Sequence, residues 1–144
     1  MTDYPVLRPG PAHDADGMRM RYGGCTCGAV RFELRGEPYI VGLCHCMDCR
    51  KATGGFAMPS ANWYLDKFTS SGAVREFRGR SFCPEFGSRL FHLNDKRAEV
   101  LLGDLDEGPG DLKPSVEGWI IRRERWLAPV PDAAQFERDV LLAG

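Results

Sequence analysis

The six cysteines of this chain constrain its fold more than any other feature, because they fall into three short groups. The groups are a Cys-x-Cys pair, a Cys-x-Cys-x-x-Cys run and a single cysteine, namely Cys25 and Cys27; Cys44, Cys46 and Cys49; and Cys83. Residues i and i+2 of an extended strand point the same way, so each Cys-x-Cys pair directs two thiols at one point. In a reducing compartment, clustered thiols are typical of metal ligands or catalysts rather than of disulfides.

The composition is that of one globular domain. The 144 residues are 43% hydrophobic and 27% charged, with a formal net charge of -1. The balance of 19 basic against 20 acidic residues argues against a nucleic-acid partner. No apolar run reaches the roughly 18 residues of a membrane span, so no membrane partner is expected. The first residues have neither the basic nor the apolar region of a secretory signal, and we therefore expect a cytoplasmic protein.

Short alternating segments predict a mainly β fold of small antiparallel sheets. The clearest strand covers residues 30–35, where Val30, Phe32 and Leu34 alternate with charged residues. Pro59 confines one strand to a sheet edge or a bulge. Helix is expected only as a turn near residues 48–52 and in the tail, where Phe136 and Val140 have helical spacing after a capping-like segment. The other predicted strands cover residues 39–43, 57–63, 74–77, 89–93, 98–102 and 119–122.

Three segments follow from these patterns. Residues 1–17 are rich in Pro, Gly and Asp without periodicity, and we expect a flexible N-terminal arm there. Residues 18–131 form the predicted β domain, which contains all six cysteines. Residues 132–144 form the predicted short C-terminal helical tail.

The run Cys44, Cys46 and Cys49 supplies three thiolates from six residues. Its Cys-x-x-Cys part has the spacing that wraps around zinc, and three protein ligands leave a fourth position open, as in catalytic zinc sites. A redox pair and inert buried thiols are the alternatives, but a redox pair needs only two of the three thiols. Three thiolates on Zn²⁺ leave a site charge of about -1, which suits binding of a soft thiolate better than generation of hydroxide.

Three motifs resemble, in order, those of the glutathione-dependent formaldehyde-activating enzyme family, which includes centromere protein V. They are GGCTCGAVRF at residues 23–32, CHCMDCRKATG at 44–54 and FCPEFGS at 82–88. With Trp119 and Trp126, the resemblance spans about residues 18–130. It implies a β-tent fold, one structural zinc bound by four cysteines and one catalytic zinc bound by three. It places structural ligands at Cys25, Cys27 and Cys83, and catalytic ligands at Cys44, Cys46 and Cys49.

The third motif departs from the family pattern at one position. The family has Cys-x-x-Cys-Gly there, and this chain has Phe86 in place of the second cysteine. Phenylalanine cannot bind a metal, so the structural site has at most three thiolates. Water, His92 or Glu85 are alternatives for the fourth ligand, and loss of the zinc is another.

The resemblance implies carbon–sulfur lyase chemistry that joins glutathione and formaldehyde reversibly into S-(hydroxymethyl)glutathione. The expected partners are therefore a small glutathione-like thiol and an aldehyde, and homo-oligomer formation is left open. Arg50 and Lys51 directly follow Cys49 and are the predicted anchors for the carboxylates of glutathione. Two other functions remain open: a non-catalytic, zinc-stabilised binding module, and a thiol-dependent reductase that uses Cys83 as its nucleophile.

Overall fold

Two β-sheets and one short α-helix organise residues 10–141, the part of the chain that the computed structural model describes. The mainly β fold class is therefore confirmed. The helix, α1 (Met47–Thr53), begins within the second cysteine run, directly after Cys46, and contains Cys49. The strands are β1 (Met20–Gly24), β2 (Arg31–Arg35), β3 (Ile40–Cys44), β4 (Met58–Tyr64), β5 (Phe68–Ser71), β6 (Arg75–Phe77), β7 (Arg80–Phe82), β8 (Arg89–Leu93), β9 (Arg97–Leu101), β10 (Val116–Gly118) and β11 (Ala134–Gln135). Short 3-10 helices cover Leu65–Lys67, Leu102–Asp104 and Ile120–Arg122.

The smaller sheet has three strands in the order β1-β2-β5, and the larger has eight in the order β11-β10-β3-β4-β9-β8-β7-β6. All neighbouring strands are antiparallel except two pairs. β10 runs parallel to β3, and β11 runs parallel to β10. The segment after residue 115 thus extends one edge of the larger sheet, which places it beside the end of β3.

The core lies where the two sheets meet. Phe32 of β2 packs edge-on against Phe91 of β8, with ring centroids 6.1 Å apart. Trp63 is buried, and its indole Nε1 donates a hydrogen bond of 2.9 Å to the carbonyl of Gly36, which lies just after β2. Burial of large aromatic side chains from both sheets is the main source of free energy that holds them together.

The two faces of the larger sheet differ in chemistry. Val41, Ala61 and Val100 lie in register on β3, β4 and β9 and are buried in the core. Successive residues of a strand point to opposite faces. One position along, Asn62 and Glu99 lie in register on the other face, which is polar. Asn62 and Glu99 are among the residues that line a pocket on this second face.

The predicted C-terminal helix is wrong for the described part of the tail. Ala134 and Gln135 form β11, which pairs with β10, and residues 136–141 contain no helix. Hydrogen bonds to β10 hold this segment extended: the Phe136 amide donates to the Glu117 carbonyl at 2.9 Å. The spacing of Phe136 and Val140 is compatible with a helix, but pairing with β10 determines the extended conformation of this segment. Residues 142–144 lie outside the described residues.

The prediction of a strand over residues 119–122 is also wrong. Trp119 has a left-handed backbone conformation with φ of 56°, and a 3-10 helix follows it. A left-handed residue turns the chain sharply and ends strand pairing after Gly118.

Pro59 lies in β4, which has neighbours on both sides, so its strand is not at a sheet edge. Pro59 pairs with Leu43 of β3, whereas pairing with β9 begins one residue later, at Ser60. Because Pro59 lies outside the pairing with β9, its lack of an N–H group removes no hydrogen bond between β4 and β9.

The predicted arm over residues 1–17 falls partly outside the described residues, which begin at residue 10. In its described part, the Asp14 amide donates to the Met18 carbonyl at 2.9 Å, and the Asp14 carboxylate pairs with Arg35 of β2. Between residues 10 and 141, helical segments are all too short to cross a bilayer.

Candidate metal centre

The pocket cluster, which consists of Cys44, Cys46 and Cys49, forms where β3 ends and α1 begins. The three sulfurs lie within 4.8 Å of one another and could hold a metal ion. Cys46 is the N-cap of α1, and its Sγ accepts a hydrogen bond of 3.3 Å from the Cys49 amide. The first helical turn thus folds the Cys-x-x-Cys segment back on itself, and β3 delivers the third sulfur.

Hydrogen bonds between the sulfurs shift the pKa values of Cys44 and Cys49 in opposite directions. A hydrogen bond from the Cys49 thiol, with help from the Cys46 amide, lowers the pKa of Cys44 to about 6 despite burial. The same contact with Cys44, together with burial, raises the pKa of Cys49. Cys44 is therefore a thiolate at neutral pH, which is the form that binds metals.

A pocket of about 360 Å³ opens beside Cys44 on the polar face of the larger sheet. Its volume lies in the range of sites for small-molecule ligands. Gly42 of β3 and Trp119 are among the residues that line the pocket. Polar side chains from β4, β9 and the tail complete the lining, namely Ser60, Asn62, Arg97, Glu99 and Asp139.

Sequence reasoning missed these polar lining residues. Asn62 has a buried Oδ1 without a hydrogen-bond partner in the described residues, and Glu99 contacts His92 with 3.7 Å between carboxylate and Nδ1. The signal was present in the sequence: Ser60 and Asn62 on one strand, and Arg97 and Glu99 on another, are polar at period two within otherwise apolar strands. A second pocket of about 180 Å³, between β1 and residues 102–112, has no cysteine in its lining.

Arg50 and Lys51, the predicted carboxylate anchors, lie on α1 beside the pocket cluster but not among the pocket's lining residues. The Arg50 guanidinium donates to the Arg122 carbonyl at 3.0 Å and pairs with Glu124. Lys51 is exposed. Their role in binding a substrate stays a prediction.

His45 lies between two cysteines of the pocket cluster in sequence, yet its side chain belongs to a different network. It is fully buried, and its Nε2 lies 2.9 Å from Oε1 of Glu117, which is also fully buried. Burial alone raises the pKa of Glu117, but hydrogen bonds from Gln135, His45 and the Val130 amide outweigh it and lower the pKa. This carboxylate links His45, in the segment that carries the pocket cluster, to the C-terminal segment.

The core cluster, which consists of Cys25, Cys27 and Cys83, forms where β1 and β7 end. Its sulfurs also lie within 4.8 Å of one another. Cys25 and Cys83 are fully buried within the hydrophobic core, and Cys27 packs against it. The predicted grouping of the six cysteines is thus observed, and the two clusters differ in access: one faces a pocket and the other is enclosed between the sheets.

Near the core cluster, Asp104 has a carboxylate whose ionised form is disfavoured. Burial and the negative charge of Cys25 raise its pKa to about 7, although Arg89 opposes this. Its Oδ2 is buried and has no hydrogen-bond partner among the described residues. At pH 8 the folded protein therefore holds this carboxylate ionised at a free-energy cost.

We predict that Asp104→Asn stabilises the protein at pH 8 by about 2 kcal/mol. A raised folded-state pKa contributes stability that is fully present below the unfolded pKa, near 3.8, and is lost as the pH rises through 7. The advantage of the variant should therefore shrink between pH 8 and pH 4. Urea unfolding of both proteins at these two pH values measures it, and a variant less stable than wild type at pH 8 would contradict the prediction.

One family of known proteins matches most of this chain. Residues 20–122 match the family described as glutathione-dependent formaldehyde-activating enzyme. None of the curated proteins matches the chain significantly. Among solved structures, the crystal structure of a Rhodobacter sphaeroides protein is 22% identical, with 62% of this chain and 91% of that chain covered and a TM-score of 0.48.

Proposed function

Because this chain belongs to the glutathione-dependent formaldehyde-activating enzyme family, we propose that it is a zinc-dependent carbon–sulfur lyase-type enzyme of the cytoplasm. It joins a thiol such as glutathione to formaldehyde or a related carbonyl compound. The observation that carries the proposal is the position of the pocket cluster, whose Cys44 lines a pocket of ligand size.

Cys44, Cys46 and Cys49 would hold the zinc. The donor set fits the metal, since three sulfurs converge and the lowered pKa of Cys44 favours its thiolate form. Zinc bound there with a free position would supply a Lewis acid that keeps a substrate thiol deprotonated at neutral pH.

In the proposed reaction, the substrate sulfur donates its electron pair to the carbonyl carbon and a carbon–sulfur bond forms. The electrons of the carbonyl π bond move to oxygen, which takes up a proton to give the hydroxymethyl product; the thiol proton released earlier balances this uptake. The pocket's polar face orients the rest of the thiol. Arg97 offers a carboxylate anchor, and Glu99 and Asp139 offer acceptors for an ammonium or amide group.

Zinc titration of the wild type and of Cys46→Ser, each with and without glutathione, tests the proposal. Serine is itself a favoured helix N-cap, so the substitution removes the sulfur but keeps the start of α1. We expect the variant to bind zinc at least about tenfold more weakly. Glutathione should tighten zinc binding by the wild type, because its thiolate fills the free position.

The core cluster is common to both proteins in this titration, so the difference between them reports the pocket cluster. Equal zinc affinity in the two proteins, with no response to glutathione in either, would remove the main support for lyase chemistry. It would favour the non-catalytic binding module instead.

A further inference from the structure

The core cluster brings three sulfurs together in an enclosed place. The Sγ atoms of Cys25 and Cys27 lie 3.4 Å apart, and those of Cys27 and Cys83 lie 3.6 Å apart. Two of the three side chains are fully buried among core residues that include Phe32 and Leu90. Such short separations between sulfurs suit ligands around one ion.

Among residues 10–141, no fourth Cys, His, Asp or Glu ligand atom joins this group within 4.8 Å of all three sulfurs. Glu85 is exposed, and His92 pairs with Glu99 on the opposite face of the sheet. The side chain of Phe86 carries no donor atom and is 52% exposed. Neither His92 nor Glu85, the two protein ligands considered from the sequence, therefore joins the core cluster.

Two backbone hydrogen bonds close the loop that follows Cys83. The Gly87 amide donates to the Cys83 carbonyl at 2.7 Å, and the Cys83 amide donates to the Ser88 carbonyl at 2.9 Å. This turn brings the Ser88 hydroxyl to 3.4 Å from the Cys25 sulfur. A neutral hydroxyl is a hard oxygen donor and a poor substitute for a fourth thiolate.

The donor set does not fit a structural zinc site. Structural zinc is almost always bound by four ligands in a tetrahedron, and here the protein supplies three. Thiolate ligands select soft ions. One of these, copper(I), needs no more than three sulfur ligands. Burial of two of the cysteines also disfavours water as a fourth ligand.

We propose that Cys25, Cys27 and Cys83 form a three-coordinate site for a soft, thiophilic cation, copper(I), in place of a structural zinc. The site joins the two sheets, because Cys25 follows β1 of the smaller sheet and Cys83 follows β7 of the larger one. Bound copper(I) therefore stabilises the packing of the sheets. This inference rests on the core cluster alone and does not depend on the proposed lyase activity.

The test uses the full chain with Cys44, Cys46 and Cys49 replaced by serine, so that only the core cluster can bind. The reduced protein is titrated without oxygen, with copper(I) against a copper(I) chelator and separately with zinc against a zinc chelator. We expect one copper(I) per chain, three sulfur neighbours in the X-ray absorption spectrum and a higher unfolding temperature. Adding Cys83→Ser should weaken copper(I) binding at least about tenfold.

Phe86→Cys is the matched variant, because it restores a fourth thiolate in the same loop. It should raise zinc affinity at least about tenfold relative to the parent protein. Equal zinc affinity in the parent and in Phe86→Cys would overturn the proposal, as would copper(I) binding that is indifferent to Cys83→Ser. If the triple variant does not fold, wild type and Cys83→Ser are compared directly: copper(I) should fall by one ion per chain, and an unchanged count would refute the site.

Discussion

Cys44→Ser is expected to lower the rate of thiol–formaldehyde adduct formation by about 100-fold or more. Cys44 is the sulfur of the pocket cluster that lines the pocket, and its pKa is lowered to about 6. Loss of a partner that merely orients a metal ligand typically costs 10–100-fold in affinity or activity, so loss of the proposed ligand Cys44 itself should cost at least the upper end. Exchange of the hydroxymethyl carbon with free formaldehyde, followed by NMR after subtraction of the uncatalysed rate, measures the effect.

Met47→Ala is the control for this experiment. Met47 begins α1 directly after the pocket cluster's second cysteine, is 43% exposed and does not line the pocket. Its removal should leave the rate within about twofold, since exposed positions away from a site usually have small effects. Activity in Cys44→Ser equal to that of the control would show that the pocket cluster is not the reacting centre.

Glu117→Ala is expected to destabilise the fold by about 3–5 kcal/mol and to lower the unfolding temperature by about 10 °C. The Glu117 carboxylate is fully buried and lies 2.9 Å from His45 Nε2 and 3.2 Å from the Arg123 guanidinium. It also accepts hydrogen bonds of 2.8 Å from the Val130 amide and 2.7 Å from the Gln135 amide. Removal leaves four donors without this acceptor, and one of them, His45, is fully buried.

Glu107→Ala provides the contrast, because Glu107 is 83% exposed and its contact with Arg19 is 3.8 Å. It should change the free energy of unfolding by less than about 0.5 kcal/mol. The Glu117 effect should also depend on pH. A lowered pKa means that this carboxylate stabilises the fold above its ordinary pKa and loses that contribution as the pH falls through the lower, folded value. A gap between Glu117→Ala and wild type that stays constant down to pH 3 would contradict this account.

The grouping of the cysteines could be predicted from sequence because it follows from local rules. Alternation along a strand aligns the sulfurs of a Cys-x-Cys pair, and one helical turn returns Cys49 to Cys46. The strand predicted at residues 89–93 was also confirmed. These features need no knowledge of distant parts of the chain.

The tail and the pocket could not be predicted in this way because distant contacts decide them. Gln135 is extended since its side chain reaches Glu117 and its backbone pairs with β10. Arg50 follows Cys49 in sequence, yet its guanidinium pairs with Glu124, far along the chain. Arg97 and Asp139 reach the pocket only through the order of strands in the larger sheet, which no local pattern encodes.

The pocket wall has a consequence for the order of events during synthesis. Cys44 and the other sulfurs of the pocket cluster leave the ribosome early, whereas Trp119, Asp139 and Val140, which help to enclose the pocket, emerge much later. A nascent chain therefore presents the Cys44 thiol before the pocket wall that shelters it exists. Occupancy by a metal at that stage would protect these sulfurs from oxidation, so metal supply during translation should influence how much of the newly made protein has intact thiols.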